Sequence, residues 1–182
     1  GNGKGRPKVL LLDDTFHNYF EPRPLEAAVV VLDRAGFEVE IPPRQVCCGR
    51  PLISKGLLEE TQRYHAKLLD VLTPIIEEGV PLVGLEPSCI MTFRDEIPDL
   101  TRDPRARTIA QNSFTLEEFL GKLPDYSPGR LARRAIVHGH CHQKAIIGME
   151  PTRKLLERVE GLEFRILDSG CCGMAGSFGY EE

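Results

Sequence analysis

The 182-residue chain has a formal net charge of −4, with 41% hydrophobic and 27% charged residues. A negatively charged chain has no general affinity for nucleic acid or for an anionic membrane surface. No apolar run approaches the roughly 20 residues that cross a bilayer, and the N-terminal residues do not form a signal peptide. We therefore expect a cytoplasmic protein with no nucleic-acid partner and no transmembrane segment.

The first half of the chain predicts strands that alternate with helices. Short aliphatic runs predict buried strands, and apolar residues at helical spacing predict helices bounded by proline and glycine. The expected order is a strand at 9–12, a helix at 22–36, a strand at 37–41, a helix at 54–79 and a strand at 81–85. Pro74 is expected to kink or divide the long helix, and Ser88 is a candidate cap for a short helix after the last strand.

The second half repeats this order. A charged, proline-interrupted stretch at 102–107 predicts a surface connection, and Thr115 with Glu118 predicts a capping box. A strand at 135–137, a helix at 151–161 and a strand at 163–167 follow. Each half thus leads from its second strand to a cysteine doublet, and Cys171 follows Cys47 by 124 positions.

This repetition predicts an α/β fold of two pseudo-symmetric strand-helix-strand halves with mainly parallel sheets. The loops at the carboxyl ends of parallel strands meet at one edge, which is where we expect the cysteines. We expect residues 1–7 to be a linker or added residues and residues 8–182 to be a cysteine-rich domain fragment. Its halves span about 8–100 and 130–182, with a connection at 101–129.

The six cysteines are interpreted as metal ligands. Neighbouring Cα atoms lie about 3.8 Å apart, whereas a disulfide requires about 4.4–6.8 Å, so adjacent cysteines do not readily bond to each other. The glycine after each doublet allows a positive φ that turns both sulfurs toward one centre. Thiolates favour iron-sulfur clusters, zinc and copper(I). The candidate ligands are Cys47, Cys48, Cys89, Cys141, Cys171 and Cys172.

Other interpretations stay open for individual residues. Cys89 or Cys141 taken singly is typical of a small buried side chain, and Cys141 between two histidines is a weak candidate nucleophile. His138, His140 and His142 could supply nitrogen ligands to zinc or contribute only hydrogen bonds. Basic residues near the cysteines are interpreted mainly as surface residues, with neutralisation of thiolate charge as the alternative. These are Arg50, Lys55, Arg94 and Lys144.

Four sequence motifs resemble the cysteine-rich, or CCG, domain family, which includes one component of heterodisulfide reductase and the iron-sulfur components of glycolate oxidase and anaerobic glycerol-3-phosphate dehydrogenase. The resemblance extends from about Val9 onward. The motifs are Cys47-Cys48-Gly49-Arg50-Pro51, Glu86-Pro87-Ser88-Cys89, His138-Gly139-His140-Cys141-His142-Gln143-Lys144 and Cys171-Cys172-Gly173-Met174-Ala175-Gly176.

Two longer strings, residues 84–89 and 173–180, are most similar to the C-terminal part of FAD-linked oxidases that act on D-lactate, D-2-hydroxyglutarate or glycolate. This resemblance implies an iron-sulfur domain that passes electrons from FAD to a downstream acceptor. FAD would be held by another domain of the parent chain, in the cytoplasm or peripheral to a membrane, and the isolated fragment would not be catalytic.

The chain departs from the family pattern in the ligands near its first doublet. The family has a cysteine some thirty residues before each doublet, but that region of the first half, Asp14-Thr15-Phe16-His17, has no sulfur. Glu86 stands where the first cysteine of a later pair is expected, so Glu86 is a possible secondary ligand. The resemblance implies a 4Fe-4S cluster that could be absent from the fragment. The alternatives are a zinc-stabilised or metal-free interaction module and a heterodisulfide or thiol reductase component.

Overall fold

The computed structural model describes residues 5–174, which form two compact units that meet in sequence between Leu116 and Glu117. Residues 1–4 of the predicted linker at 1–7, and residues 175–180 of the motif at 173–180, lie outside the described residues. The two sheets contain only parallel strand pairs among the described residues, which confirms the predicted α/β class.

The first unit is a four-stranded parallel sheet with helices between its strands. β1 lies in the interior, next to β2 on one side and β3 on the other, and β4 extends the sheet beyond β3. In chain order the elements are β1 Lys8–Leu11, α1 Thr15–Tyr19, α2 Arg23–Arg34, β2 Glu38–Glu40, α3 Arg50–Ser54, α4 Leu58–Glu77, β3 Leu82–Gly84, α5 Pro87–Arg94, α6 Glu96–Leu100, α7 Arg105–Gln111 and β4 Ser113–Thr115.

The core of the first unit lies around β1 and β3. Leu10 faces Leu82 across the strand pair, and both side chains are fully buried. The helices of this unit add buried apolar side chains such as Leu32, Leu72 and Phe93. Because a strand of a parallel sheet is covered on both faces, β1 shows a continuous hydrophobic run after Lys8 rather than an alternating one.

In its described residues, the second unit is a two-stranded parallel sheet with three helices. Its elements are α8 Leu116–Gly121, which begins at the boundary, β5 Arg130–Val137, α9 Cys141–Ile146, α10 Glu150–Glu157 and β6 Glu160–Ile166. Arg133 pairs with Leu162 and Val137 pairs with Ile166. The two strands thus end side by side, and the segments that follow them carry Cys141 and the second doublet.

Several elements differ from the sequence prediction. Pro74 lies inside α4 without ending it, and a break at residues 55–57 separates α3 from α4 instead. The sequence did not predict α1, α6 and α9, because each is too short to show a helical period. The stretch at 101–129 contains α7 and β4, which were not predicted, and α8, the short helix expected after Thr115. The sequence predicts that a helix ends at Gly161, but this residue lies in β6, with a φ of 80°.

Replacement of Phe93 by alanine tests the packing of the first unit. The side chain is fully buried in α5, so its truncation should lower the free energy of unfolding by about 3–5 kcal/mol through lost burial and a residual cavity. Val30, which is 48% exposed on α2, is the control, and Val30→Ala should change that energy by less than about 0.5 kcal/mol. Equal effects in urea denaturation would contradict this assignment of the core.

Candidate metal centre

The carboxyl edge of the first sheet gathers polar and sulfur-containing residues of the first unit. Asp13 and Asp14 follow β1, the loop after β2 carries Cys47 and Cys48, and Cys89 lies in the first turn of α5, just after β3. Parallel pairing of these three strands places their carboxyl ends together, as the sequence analysis predicted for the first half.

The three cysteines of this edge lie near one another. Cys48 interacts electrostatically with both Cys47 and Cys89, and both interactions influence the pKa of its thiol. Cys48 and Cys89 are only 3% and 7% exposed, and Cys47 is half-buried. The first unit thus brings all three of its predicted sulfur ligands to one edge of the sheet.

A left-handed turn at Gly49 fixes the first doublet. Its φ is 79°, as the sequence predicted, and a Cβ there would lie 2.8 Å from Nε2 of His65. The amide N–H of Cys47 donates to Oη of Tyr64 at 3.0 Å, and Nε2 of His65 lies 3.0 Å from the carbonyl oxygen of Cys48. Helix α4 therefore holds the backbone of the doublet through two adjacent side chains.

Sequence reasoning missed His65 and Tyr64. His65 is fully buried and occupies a position on the apolar face of α4, three residues before Leu68 and seven before Leu72. A histidine on such a face is the one signal that could have identified it, because a buried polar side chain needs a hydrogen-bond partner.

Burial and mutual interaction favour the protonated thiols of the first doublet in the absence of a cation. Interaction with Cys48 and burial raise the pKa of Cys47. Interaction with Cys47 lowers the pKa of Cys48, but interaction with Cys89 and burial outweigh it and raise the pKa to about 12. A bound cation would reverse this balance, because it stabilises thiolates directly.

The carboxylates at this edge have different roles. Glu86, predicted as a secondary ligand, is the N-cap of α5. Its Oε1 accepts from the amide and the hydroxyl of Ser88 at 3.1 and 2.7 Å. The N-cap of α5 is therefore Glu86 and not Ser88, the cap that the sequence predicted. Oδ1 of Asp13 is buried with no hydrogen-bond partner among the described residues, and burial raises the pKa of this carboxyl.

In the second unit, Cys141 is the first residue of α9 and has histidines on both sides. Ligand atoms of His140, Cys141 and His142 all lie within 4.8 Å of one another, and the two imidazole rings stack with centroids 5.2 Å apart. His140 is also the N-cap of α9, because its Nδ1 accepts from the amide N–H of His142 at 3.2 Å. An Nδ1 that accepts this bond is not available to a metal, so ligation through it would cost the cap.

The second doublet lies in the loop after β6. Cys171 and Cys172 are exposed, and the amide N–H of Gly173, whose φ of 87° again fits the sequence prediction, donates to Sγ of Cys171 at 3.3 Å. His138 does not join the other two histidines, since its Nε2 lies 3.2 Å from the carbonyl oxygen of Gly170. The ligand role of all six cysteines, and a site shared by both sets, stay predictions.

The burial of His65 predicts a pH-dependent stability of the first unit. Burial lowers the pKa of this imidazole in the folded protein, so below the ordinary value of about 6.5 the unfolded chain binds a proton that the folded chain resists. The free energy of unfolding should therefore fall as the pH drops from about 7 to about 5. His65→Gln should reduce that slope, measured by urea denaturation at each pH, and equal slopes in both proteins would contradict the prediction.

The curated proteins that are similar to this chain include relatives of two kinds. Lactate utilization protein A of Bacillus licheniformis is 30% identical over 182 aligned residues, which cover 94% of this chain and 74% of the relative. Its counterpart from Exiguobacterium sp. is 31% identical, with 94% and 73% covered. One component of the anaerobic glycerol-3-phosphate dehydrogenase of Escherichia coli K12 is 26% identical, and the match covers 97% of this chain but 46% of that protein.

No solved structure matches the chain significantly. Among the described residues, no helix combines the length and apolar character needed to cross a membrane.

The family comparison matches the chain twice, at residues 14–94 and 135–182, and each match contains one cysteine doublet. Together these segments cover more than half of the sequence, and they agree with the resemblance seen in its motifs. The chain belongs to the cysteine-rich, or CCG, domain family.

Proposed function

We propose that this chain is an iron-sulfur cluster-binding, electron-transfer domain of a flavin-linked D-2-hydroxy acid dehydrogenase. The observation that carries the proposal is the convergence of Cys47, Cys48 and Cys89 at the carboxyl edge of one parallel sheet, where Cys48 interacts electrostatically with both other cysteines. Several thiolates at one place are costly without a cation but suit soft cations that bind several sulfurs at once.

The donor set of the first unit fits a cluster in three respects. The three cysteines lie at one edge of the sheet, two of them are nearly inaccessible to water, and the Gly49 turn lets the doublet pack closely against His65 and Tyr64 of α4. Three thiolates would leave a fourth position to another donor, for which Asp13 offers a buried carboxylate oxygen at the same edge. A bound cluster would supply one-electron transfer, while the residues of the unit supply its ligands and exclude water.

In the second unit the corresponding ligands would be Cys141, Cys171 and Cys172. The segments that hold them follow two paired parallel strands, as the doublet and Cys89 do in the first unit. The exposure of Cys171 and Cys172 makes this set the more accessible one and therefore the better candidate for electron exchange with a partner.

The hydroxy acid is inferred from resemblance and from the names of relatives. Residues 84–89 and 173–180 are similar to the FAD-linked oxidases, and two relatives are named for lactate utilization and one as part of a dehydrogenase. These names support an oxidoreductase system with other components. Its proposed partners are an FAD-binding domain of the parent chain and a downstream electron acceptor, in the cytoplasm or peripheral to the membrane.

A zinc-stabilised interaction module is the second candidate function. It is favoured by the proximity of His140, Cys141 and His142, whose nitrogen and sulfur donors form a set that zinc accepts. The cap bond of His140 argues against its full participation. This alternative predicts a colourless protein that contains zinc.

Anaerobic purification of the full-length protein distinguishes the two functions. The first predicts iron and acid-labile sulfide in stoichiometric amounts, a brown colour and an EPR signal in one oxidation state. Zinc without iron, after reconstitution with iron and sulfide and with all six cysteines reduced, would reject the iron-sulfur proposal.

Removal of one sulfur from each unit tests the ligand assignment. Cys48→Ser should abolish most of the iron bound by the first unit, and Cys172→Ser should do so for the second, because a hydroxyl is a poor substitute for a soft thiolate. Val46→Ala is a control for packing, since Val46 is 4% exposed in the same loop but carries no donor. Iron contents equal to the wild-type value in both serine variants would contradict the assignment.

A further inference from the structure

Lys144 lies one helical turn after Cys141 on α9 and binds the backbone that precedes the second doublet. Its Nζ donates to the carbonyl oxygen of Ser169 at 2.6 Å and to that of Gly170 at 3.3 Å. Nε2 of His138 lies 3.2 Å from the same oxygen of Gly170. Two side chains that flank Cys141 thus bind the two peptide groups just before Cys171.

The local packing explains how Lys144 reaches that loop. Gly139 is buried, and a Cβ at this position would lie 2.3 Å from Sδ of Met149 and 3.2 Å from Cγ of Lys144. The stem of Lys144 therefore passes close to Gly139, where an added Cβ would press on it and on Met149. The side-chain amide of Gln143 donates to Oγ1 of Thr152 at 2.7 Å and ties α9 to α10.

We infer that Lys144 and His138 are positioning residues that fix the loop of residues 167–173 relative to the first turn of α9, and so fix Cys171 and Cys172 relative to Cys141. This inference rests on the proposed function for its purpose, since a metal centre needs its sulfurs held at set distances. It assigns a role to His138, Gly139 and Lys144, three residues of the sequence motif that are not ligands in the proposal.

The first unit contains an independent case of the same arrangement. Arg50 directly follows the first doublet and Gly49, and its Nη1 donates to Oε1 of Glu96 at 2.6 Å and to Oγ1 of Thr92 at 3.3 Å. Thr92 lies on α5, the helix that carries Cys89, and Glu96 begins α6, just beyond its end. The Arg50 and Glu96 side chains are each only 22% exposed. In both units a cation connects the doublet segment to the helix of the third cysteine.

The test replaces Lys144 in the intact protein and measures two properties. Lys144→Met keeps the length of the stem and removes the ammonium group. Amide hydrogen exchange within residues 168–173 should become about tenfold faster, because charge-assisted hydrogen bonds are lost. The dissociation constant for Co²⁺, followed by its thiolate absorption, should rise about 10- to 100-fold, as for other partners that orient ligands.

Two further variants separate positioning from general destabilisation. Lys144→Arg should restore most of both properties, since a guanidinium can also donate to two carbonyls. Lys154→Met is the matched control, because Lys154 is exposed on α10 with one ion pair to Glu150 at 3.6 Å, and it should change neither property. If Lys144→Met accelerates exchange in β5 as well, a second variant is needed. His138→Ala removes only the contact of Nε2 with Gly170 and should still accelerate exchange in the loop alone.

Different experimental results would contradict this inference and the proposed function. Wild-type exchange rates at 168–173 in both Lys144→Met and His138→Ala would overturn the positioning role. Equal Co²⁺ affinities of the wild-type protein and Lys144→Met would overturn its connection to a metal. Faster loop exchange in a protein that binds neither iron nor Co²⁺ would support the positioning role and reject the metal centre.

Discussion

Parallel pairing of β1 with β2 and β3 is the constraint on which the first site depends. Each of these strands is short, and the segments after them contribute Asp13, the doublet and Cys89. Because all three strands run in the same direction, these residues meet although they are separated by up to 76 positions in the chain. An antiparallel partner at β3 would place Cys89 at the opposite end of the sheet.

The site is held by more than its sulfurs. Tyr64 and His65 bind the backbone of the first doublet from α4, and Arg50 connects it to α5 and to Glu96. In the second unit Lys144 and His138 bind the backbone before the doublet. These side chains fix the backbone of each doublet segment through hydrogen bonds that do not depend on a bound cation.

The two units share a plan but differ in how they shield their sulfurs. In the first, two of the three cysteines are buried, whereas in the second Cys171 and Cys172 are exposed. Solvent exposure is one of the factors that set the reduction potential of an iron-sulfur centre. Under the proposed function, the two sets would therefore hold electrons at different potentials.

The sequence by itself determined the class of the fold, the repeated order of strands and the glycine turn after each doublet. Only the tertiary structure showed the proximity of Cys48 to Cys89, the role of His65 and the hydrogen bonds of Lys144 to the second doublet segment. The first group depends on local patterns, namely aliphatic runs, helical spacing and the φ that glycine permits. Glu86 was expected as a secondary ligand, and the structure shows it capping α5. The second group depends on distances between side chains of separate elements. Strand pairing and helix packing across the whole unit set those distances. They therefore cannot be derived from the residue at any single position.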